Sequence, residues 1–537
     1  MKTTTPDSDA NANANIQPGT RAKPLILAAV CLAALVLPLA FSGGAVATPA
    51  IGRDLGGSAT ALTWITNAFL LSFGSLLMAA GALADQYGRK RLFVAGLGGF
   101  IVASLGLSLA PSVSWLDALR ALQGVAAAAS LASGSAALAQ EFAGHARTRA
   151  FSLLGTSFGI GLAFGPLLAG ALIAHFGWRA IFATIAAIGA LAFVFGVPRM
   201  RETRDPDAAG LDWPGTLSFS GTLALFTFAV IQAPQAGWAS ARVVGLLAAS
   251  AVLLVLFARV ETRVARPMLD LSLFRYPRFV GVQILPVGTC YCYIVLIVML
   301  PLRLIGAEGL SELDAGLLMI ALSAPLVIVP LLAASLTRWL SAGVLSGIGF
   351  LIAAAGLFWL SRVDIGAARA SAILPMLIIG VGAGMPWGLM DGLSVSVVPK
   401  ERAGMATGIF STTRVAGEGI ALAIVTALLA GLAQARLARL APLAADGSAD
   451  TARRIAEAAQ RLTTGDLASA AASLPGLDRH ALALSYTQAF TSMLHVLIVI
   501  TLLAACASFA FLSRAGELKH ARDEAETSRE AARSAVV

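Results

Sequence analysis

Two carboxylates lie inside long apolar stretches, and the chemistry open to such a group is reversible protonation. Glu418 sits within 404–431 and Asp391 within 370–398. Leaving water favours the neutral acid and a nearby guanidinium favours the ion, so a change in either loads or releases a proton. Glu418 stands about 14 residues, roughly 21 Å, into its stretch if that stretch is helical. Arg414 lies one helical turn before it and shares its face. The alternative for that pair is a permanent Arg414–Glu418 ion pair, and Asp391, nearer the end of its stretch, is as readily structural. Arg120, with Gln123, lies within 115–139. An arginine there is expensive unless it faces a cavity or a partner; the alternative is a pair with Asp117, the head snorkelling to the surface. His495 is the one histidine inside an apolar stretch and relays protons or makes a plain polar contact. Trp387 and Met385 line an apolar cavity or simply pack.

Other chemistries are disfavoured. No Gly-Lys pair occurs, so there is no Walker loop and ATP is not the energy source. There is no His-Glu-x-x-His and no Cys-x-x-Cys. Cys31, Cys290, Cys292 and Cys506 all fall in apolar stretches and read as small buried hydrophobes. No catalytic cluster, metal site or cofactor site is implied, so the chain does not read as an enzyme.

The elements that carry these groups follow from composition. Hydrophobic residues make up 58% of the 537 and charged residues 12%, against roughly 25% charged in a soluble domain. A bilayer core needs about 20 apolar residues per helix. Fourteen stretches qualify: 25–47, 62–84, 92–111, 115–139, 151–174, 180–197, 215–232, 243–258, 279–303, 314–336, 342–361, 370–398, 404–431 and 486–512. Helices satisfy their own backbone in lipid, which predicts an all-α membrane protein. The net charge of +9 comes from basic residues between the apolar stretches, as topology requires, so nucleic acid is not an expected partner. With the N-terminus in the cytoplasm, inner segments hold 24 Lys+Arg and outer segments 12. An even number of spans then places both termini in the cytoplasm. The rival is a cleaved leader ending at Ala45-Val46-Ala47, which would invert this topology; the charge count argues against it.

The chain divides into a polar N-terminus, 1–20, expected to be disordered; six spans within 21–198; a linker, 199–278, with two further spans; six spans within 279–513; and a charged tail, 514–537. The loop 432–485 is Ala-rich, with charges at helical spacing, and predicts a short external helix.

Three local patterns narrow the class. Gly81-Ala-Leu-Ala-Asp85-Gln-Tyr-Gly88-Arg89-Lys90-Arg91 joins the second and third spans, Arg120-Ala-Leu-Gln123-Gly124 lies in the fourth, and Gly161, Gly165-Pro166 and Gly170 lie in the fifth, before Gly177-Trp178-Arg179. Each alone has a bland reading: a basic turn, a snorkelling arginine, close helix packing. Together they resemble the major facilitator superfamily over about residues 21–513. Fourteen spans, and Pro267-Met-Leu-Asp-Leu before the ninth, are similar to its drug:proton antiporters of the EmrB/QacA type.

The resemblance implies two six-helix bundles rocking about a central site and a two-helix linker hairpin. It implies proton-driven export of lipophilic organic compounds from a bacterial inner membrane. By analogy Asp85 and Arg89, with Gly81, Gly88 and Lys90, gate the cytoplasmic face. Gly161, Gly165, Pro166 and Gly170 seal the bundle interface. The expected partners are a small-molecule substrate, protons and lipid, with a membrane-fusion or outer-membrane partner by analogy alone. Members of this branch often carry an acid in the first span. Here Ala40 falls near that place and 25–51 contains no acid, so coupling is expected at Glu418 or Asp391 with Arg414. The alternatives are a proton-coupled uptake symporter, against which the fifth-span pattern argues, and a transport-inactive receptor or scaffold of the same fold.

Overall fold

The computed structural model describes residues 23–142, 144–204, 212–264, 269–363, 370–398, 403–440, 449–475 and 477–512. Within them fourteen helices are long and apolar enough to cross a membrane: Lys23–Leu55, Ala59–Tyr87, Arg89–Ser108, Val113–Glu141, Arg149–Phe176, Arg179–Arg199, Trp213–Ala236, Ala241–Glu261, Pro277–Gly306, Glu312–Leu336, Ala342–Leu360, Ala370–Ser394, Met405–Leu440 and Arg479–Leu512. Each falls on one of the fourteen apolar stretches, and they are numbered here as the first to fourteenth spans. The expectations for 1–20 and 514–537 lie outside the described residues.

Local sequence explains the helix ends. Ser58, Ser112, Ser240 and Ser311 each accept a hydrogen bond from the backbone N–H three residues on, capping the second, fourth, eighth and tenth spans. Gly88 takes a φ of +116° between the second and third spans, a backbone state that a side chain would strain. The turns at Gly57 and Gly88 stand at opposite ends of the second span and serve to name the two faces of the molecule.

The differences from the sequence reading concern the second half. The thirteenth span runs on to Leu440 and the fourteenth begins at Arg479, so the loop expected at 432–485 is shorter. Arg436 explains the extension: its guanidinium donates to Gln488 Oε1 at 2.7 Å and Ser492 Oγ at 3.4 Å on the fourteenth span. Two helices rather than one, Ala449–Thr463 and Leu467–Ser473, lie in that connection. The ninth span is interrupted by a π-turn at Cys290–Ile294, a feature often found at functional sites. Cys290 and Cys292 are buried there, whereas Cys506 is exposed on the fourteenth span, contrary to the buried reading of all four cysteines.

The first span packs on the fifth and sixth, the second on the fourth, and the third on the fourth and sixth. The eleventh packs on the twelfth and fourteenth, the tenth on the twelfth, and the ninth on the fourteenth. The halves meet mainly along two seams, fifth span to tenth and second to thirteenth, and the first span also touches the ninth. The seventh and eighth pair as a hairpin, and the seventh lies against the second and thirteenth, covering that seam. The eighth leaves Val244, Val252, Leu254 and Val255 exposed, an apolar surface that lipid can face.

Candidate functional site

Glu418 lies in the thirteenth span with 5% of its surface exposed, and its Oε1 is buried without a hydrogen-bond partner. The alternative of a permanent Arg414–Glu418 ion pair is not what the structure contains. Arg414 turns instead to the twelfth span, its Nη1 lying 3.4 Å from Asp391 Oδ1. Its guanidinium sits among three rings, 5.4 Å from the centroid of Phe158, 5.7 Å from Phe410 and 6.0 Å from Trp387. Attraction to these faces and to the neighbouring carboxylate draws it away from Glu418. Although it lies within an apolar stretch, the Asp391 side chain is 57% exposed.

This cluster bridges the halves, because Phe158 comes from the fifth span. It is backed by the π-turn of the ninth, where the Cys290 thiol faces the Arg414 carbonyl at 3.9 Å. Arg414 Nε is buried with no acceptor. A Cβ placed on Gly155 or Gly159 of the fifth span, Gly392 of the twelfth or Gly417 of the thirteenth would meet no atom within 4 Å. Each of these glycines, on three helices that carry members of the cluster, therefore has open space at its Cα. Trp387 is nearly buried at this cluster and Met385 half-buried.

Arg120 and Gln123 form a separate unit inside the first half, both fully buried. Arg120 Nε donates to Ile65 O at 2.7 Å, and its Nη1 donates to Ala40 O at 3.2 Å and to Gln123 Oε1 at 2.6 Å. Gln123 Nε2 then donates to Ser104 Oγ at 2.8 Å. One guanidinium thus ties the first, second and fourth spans, and Gln123 adds the third. The snorkelling pair with Asp117 is absent, because the head points inward to carbonyls. At the first-span position where an acid was sought, the acceptor is the backbone oxygen of Ala40. Arg120 Nη2 and Asp117 Oδ1 are both buried without partners.

His495 is exposed on the fourteenth span, on the same stripe as Val496, Val499 and Leu503, while Met493, Leu494 and Leu497 face the protein. Sequence alone could not tell the two faces of so evenly apolar a helix apart.

At the Gly88 turn, Arg89 donates to Asp85 Oδ1 from Nε at 3.1 Å and Nη2 at 2.8 Å. The carboxylate of Glu202 accepts from the backbone N–H of Lys90 and Arg91, both at 3.1 Å. It acts as an N-terminal cap supplied from beyond the sixth span. Gly81 faces open space. Among the described residues, all these contacts stay within the first half, and none reaches the second.

The fifth-span glycines divide by neighbour. Gly161 packs on Leu35 and Pro38, and Gly165 on Ser42, all of the first span. Gly170 lies against the backbone of Glu312, and Gly316 against the backbone of Pro166 and Leu167, so the far end of the motif meets the tenth span. The Gly57 face is closed around this point. Arg53 pairs with Glu312 across the halves. Asp54 accepts from Trp178 Nε1 at 3.0 Å and Arg179 Nη1 at 2.6 Å. Arg461, on the helix Ala449–Thr463, donates to Gly57 O at 2.9 Å. Arg53, Glu312 and Arg461 carry no motif, and the three rings about Arg414 are scattered over three spans; nothing in the sequence marks either set.

A chain whose described residues are helices joined by turns, with two halves of spans that meet along seams carrying ionisable groups, is built as a membrane transporter. It belongs to the Major Facilitator Superfamily, which matches residues 30–422. It is similar to the tetracenomycin C resistance and export protein of Streptomyces glaucescens, 28% identical over 84% of this chain and 86% of that one. It is also similar to the multidrug resistance protein Stp of Mycobacterium tuberculosis, 32% identical over 73% of each. The crystal structure of a bacterial homologue of the human lysosomal transporter Spinster shares the fold, with a TM-score of 0.62 and 16% identity over 92% of this chain and 98% of that one.

Proposed function

We propose that this protein exports lipophilic organic compounds across a bacterial cell membrane in exchange for protons, by alternating access, with Glu418 as the coupling acid. The observation that carries this reading is a carboxylate buried at the meeting of the halves with an unpartnered oxygen, its nearest arginine engaged elsewhere. Such a group is held by no fixed counterion, so its charge is free to depend on how the halves are packed. The names of the relatives, resistance and export of drugs and antibiotics, support the direction. The excess of basic residues on the Gly88 face supports its placement in the cytoplasm with both termini. On that orientation the described conformation is closed outside, and substrate enters the open space near Phe158, Trp387 and Arg414 from the cytoplasmic side. Asp391 modulates the arginine. Arg120 and Gln123 hold the first half rigid rather than touching substrate. The Asp85–Arg89 pair gates the cytoplasmic face when it approaches the second half.

The test is proton exchange in liposomes. Adding substrate to the wild type should drive measurable proton movement, and Glu418→Gln should abolish it at equal protein level. Unchanged exchange in that variant removes Glu418 as the coupling acid. The direction of substrate movement in oriented vesicles separates export from uptake.

A further inference from the structure

On the proposed mechanism Glu418 exchanges protons with the Gly57 face, which in the described conformation is closed to solutes by the Arg53–Glu312 and Arg461–Gly57 contacts. Two small voids lie between that face and the acid. They adjoin, since Thr63, Thr426 and Thr463 line both. The outer void has Thr60 and Gln460 at its mouth, their side chains hydrogen-bonded at 3.2 Å. The inner void reaches Thr66, Asn67 and Leu422. Each offers about 20 Å³ to the centre of a water molecule, and one water needs about 10–15 Å³ with two to four polar partners.

The walls supply those partners. The hydroxyls of Thr63 and Thr463 donate to carbonyls of their own helices at 2.9 and 2.7 Å, which leaves their lone pairs free. Asn67 donates through Nδ2 to Thr63 O at 3.0 Å, and its buried Oδ1 has no partner; neither has the buried Oγ1 of Thr426. Both orphan atoms need a hydrogen bond, and water in the void can give it. No ionisable side chain lines either void. Leu422, in the floor, stands one turn, roughly 6 Å, from Glu418 along the thirteenth span.

We propose that these voids are the outer half of the proton pathway to Glu418: a short column of water ordered by Asn67, Thr426 and the threonine hydroxyls, stopped by Leu422 as a dry plug. The proposal rests on Glu418 being the coupling acid and adds its route. A chain of waters conducts protons where no solute passes, so the protein can close to substrate while keeping the wire filled. The plug prevents a leak in this conformation.

The experiment is passive proton entry into liposomes holding the full-length protein and a pH-sensitive dye, after an external acid jump and without substrate. Leu422→Ser extends the column to Glu418 and should raise proton entry about tenfold or more, as a barrier lowered by at least 1.4 kcal/mol would. Leu422→Ile keeps an apolar plug of the same volume and should not leak. Adding Glu418→Gln to Leu422→Ser should remove the leak. A monodisperse Leu422→Ser that exchanges substrate normally and does not leak overturns the proposal, as does a leak that survives Glu418→Gln. Thr426→Val in the wild-type background should slow proton-driven exchange with substrate KM unchanged; equal rates also count against the column. Failure of substrate-driven exchange in the wild type refutes the antiport reading separately, since the leak is read without substrate.

Discussion

Closure of the Gly57 face depends on two glycines, and adding one methyl group tests it. A Cβ on Gly170 would collide with the carbonyl of Glu312 and lie 3.2 Å from Leu313 Cα. A Cβ on Gly316 would stand 2.8 Å from Pro166 O and 3.0 Å from Leu167 Cα. All of these are backbone atoms, which cannot rotate aside. Gly170→Ala therefore strains the conformation in which the fifth and tenth spans touch and leaves the separated one unchanged. Overpacking costs about 1–3 kcal/mol, and a bias of that size shifts a two-state balance roughly 5- to 150-fold. The molecule should move toward the form open at this face. The assay is the rate at which a single cysteine at Leu313, in a chain lacking the four native cysteines, reacts with a membrane-impermeant maleimide. Faster labelling in Gly170→Ala is expected. An unchanged rate in a monodisperse variant would show that the seam does not govern opening, and the argument from backbone contact would fail.

Two further substitutions test the supports of the first half. Arg120→Met leaves Ile65 O, Ala40 O and Gln123 Oε1 without their donor; at about 0.6–1.7 kcal/mol per bond within a membrane, the loss is about 2–5 kcal/mol. It should appear as a lower Tm in detergent, with Arg120→Lys recovering only part because an ammonium lacks the planar fork; an unchanged Tm would contradict the strut role. Glu202→Ala removes the cap on the third span and should cost about 1 kcal/mol, read as a small fall in Tm with substrate KM unaffected.

Composition and the length of the apolar runs determined which stretches can enter lipid, and all fourteen were legible because a backbone in hydrocarbon has one solution over that length. Turn chemistry marked the Gly88 connection, and small residues marked the fifth span. The sequence also singled out Glu418, since an acid that deep in an apolar helix is rare. Facing was not legible. His495 and Glu418 both look like polar residues in apolar helices, yet one lies on the outer surface and the other at the meeting of the halves. In an evenly apolar helix no stripe separates protein from lipid, so hydropathy cannot orient it. Only the packed structure sent Arg414 to Asp391 rather than to Glu418, placed the Ala40 carbonyl where an acid was sought, and lined up threonines from separate helices. Those outcomes depend on which helices come to lie side by side, and contacts between residues hundreds of positions apart leave no local trace in the chain.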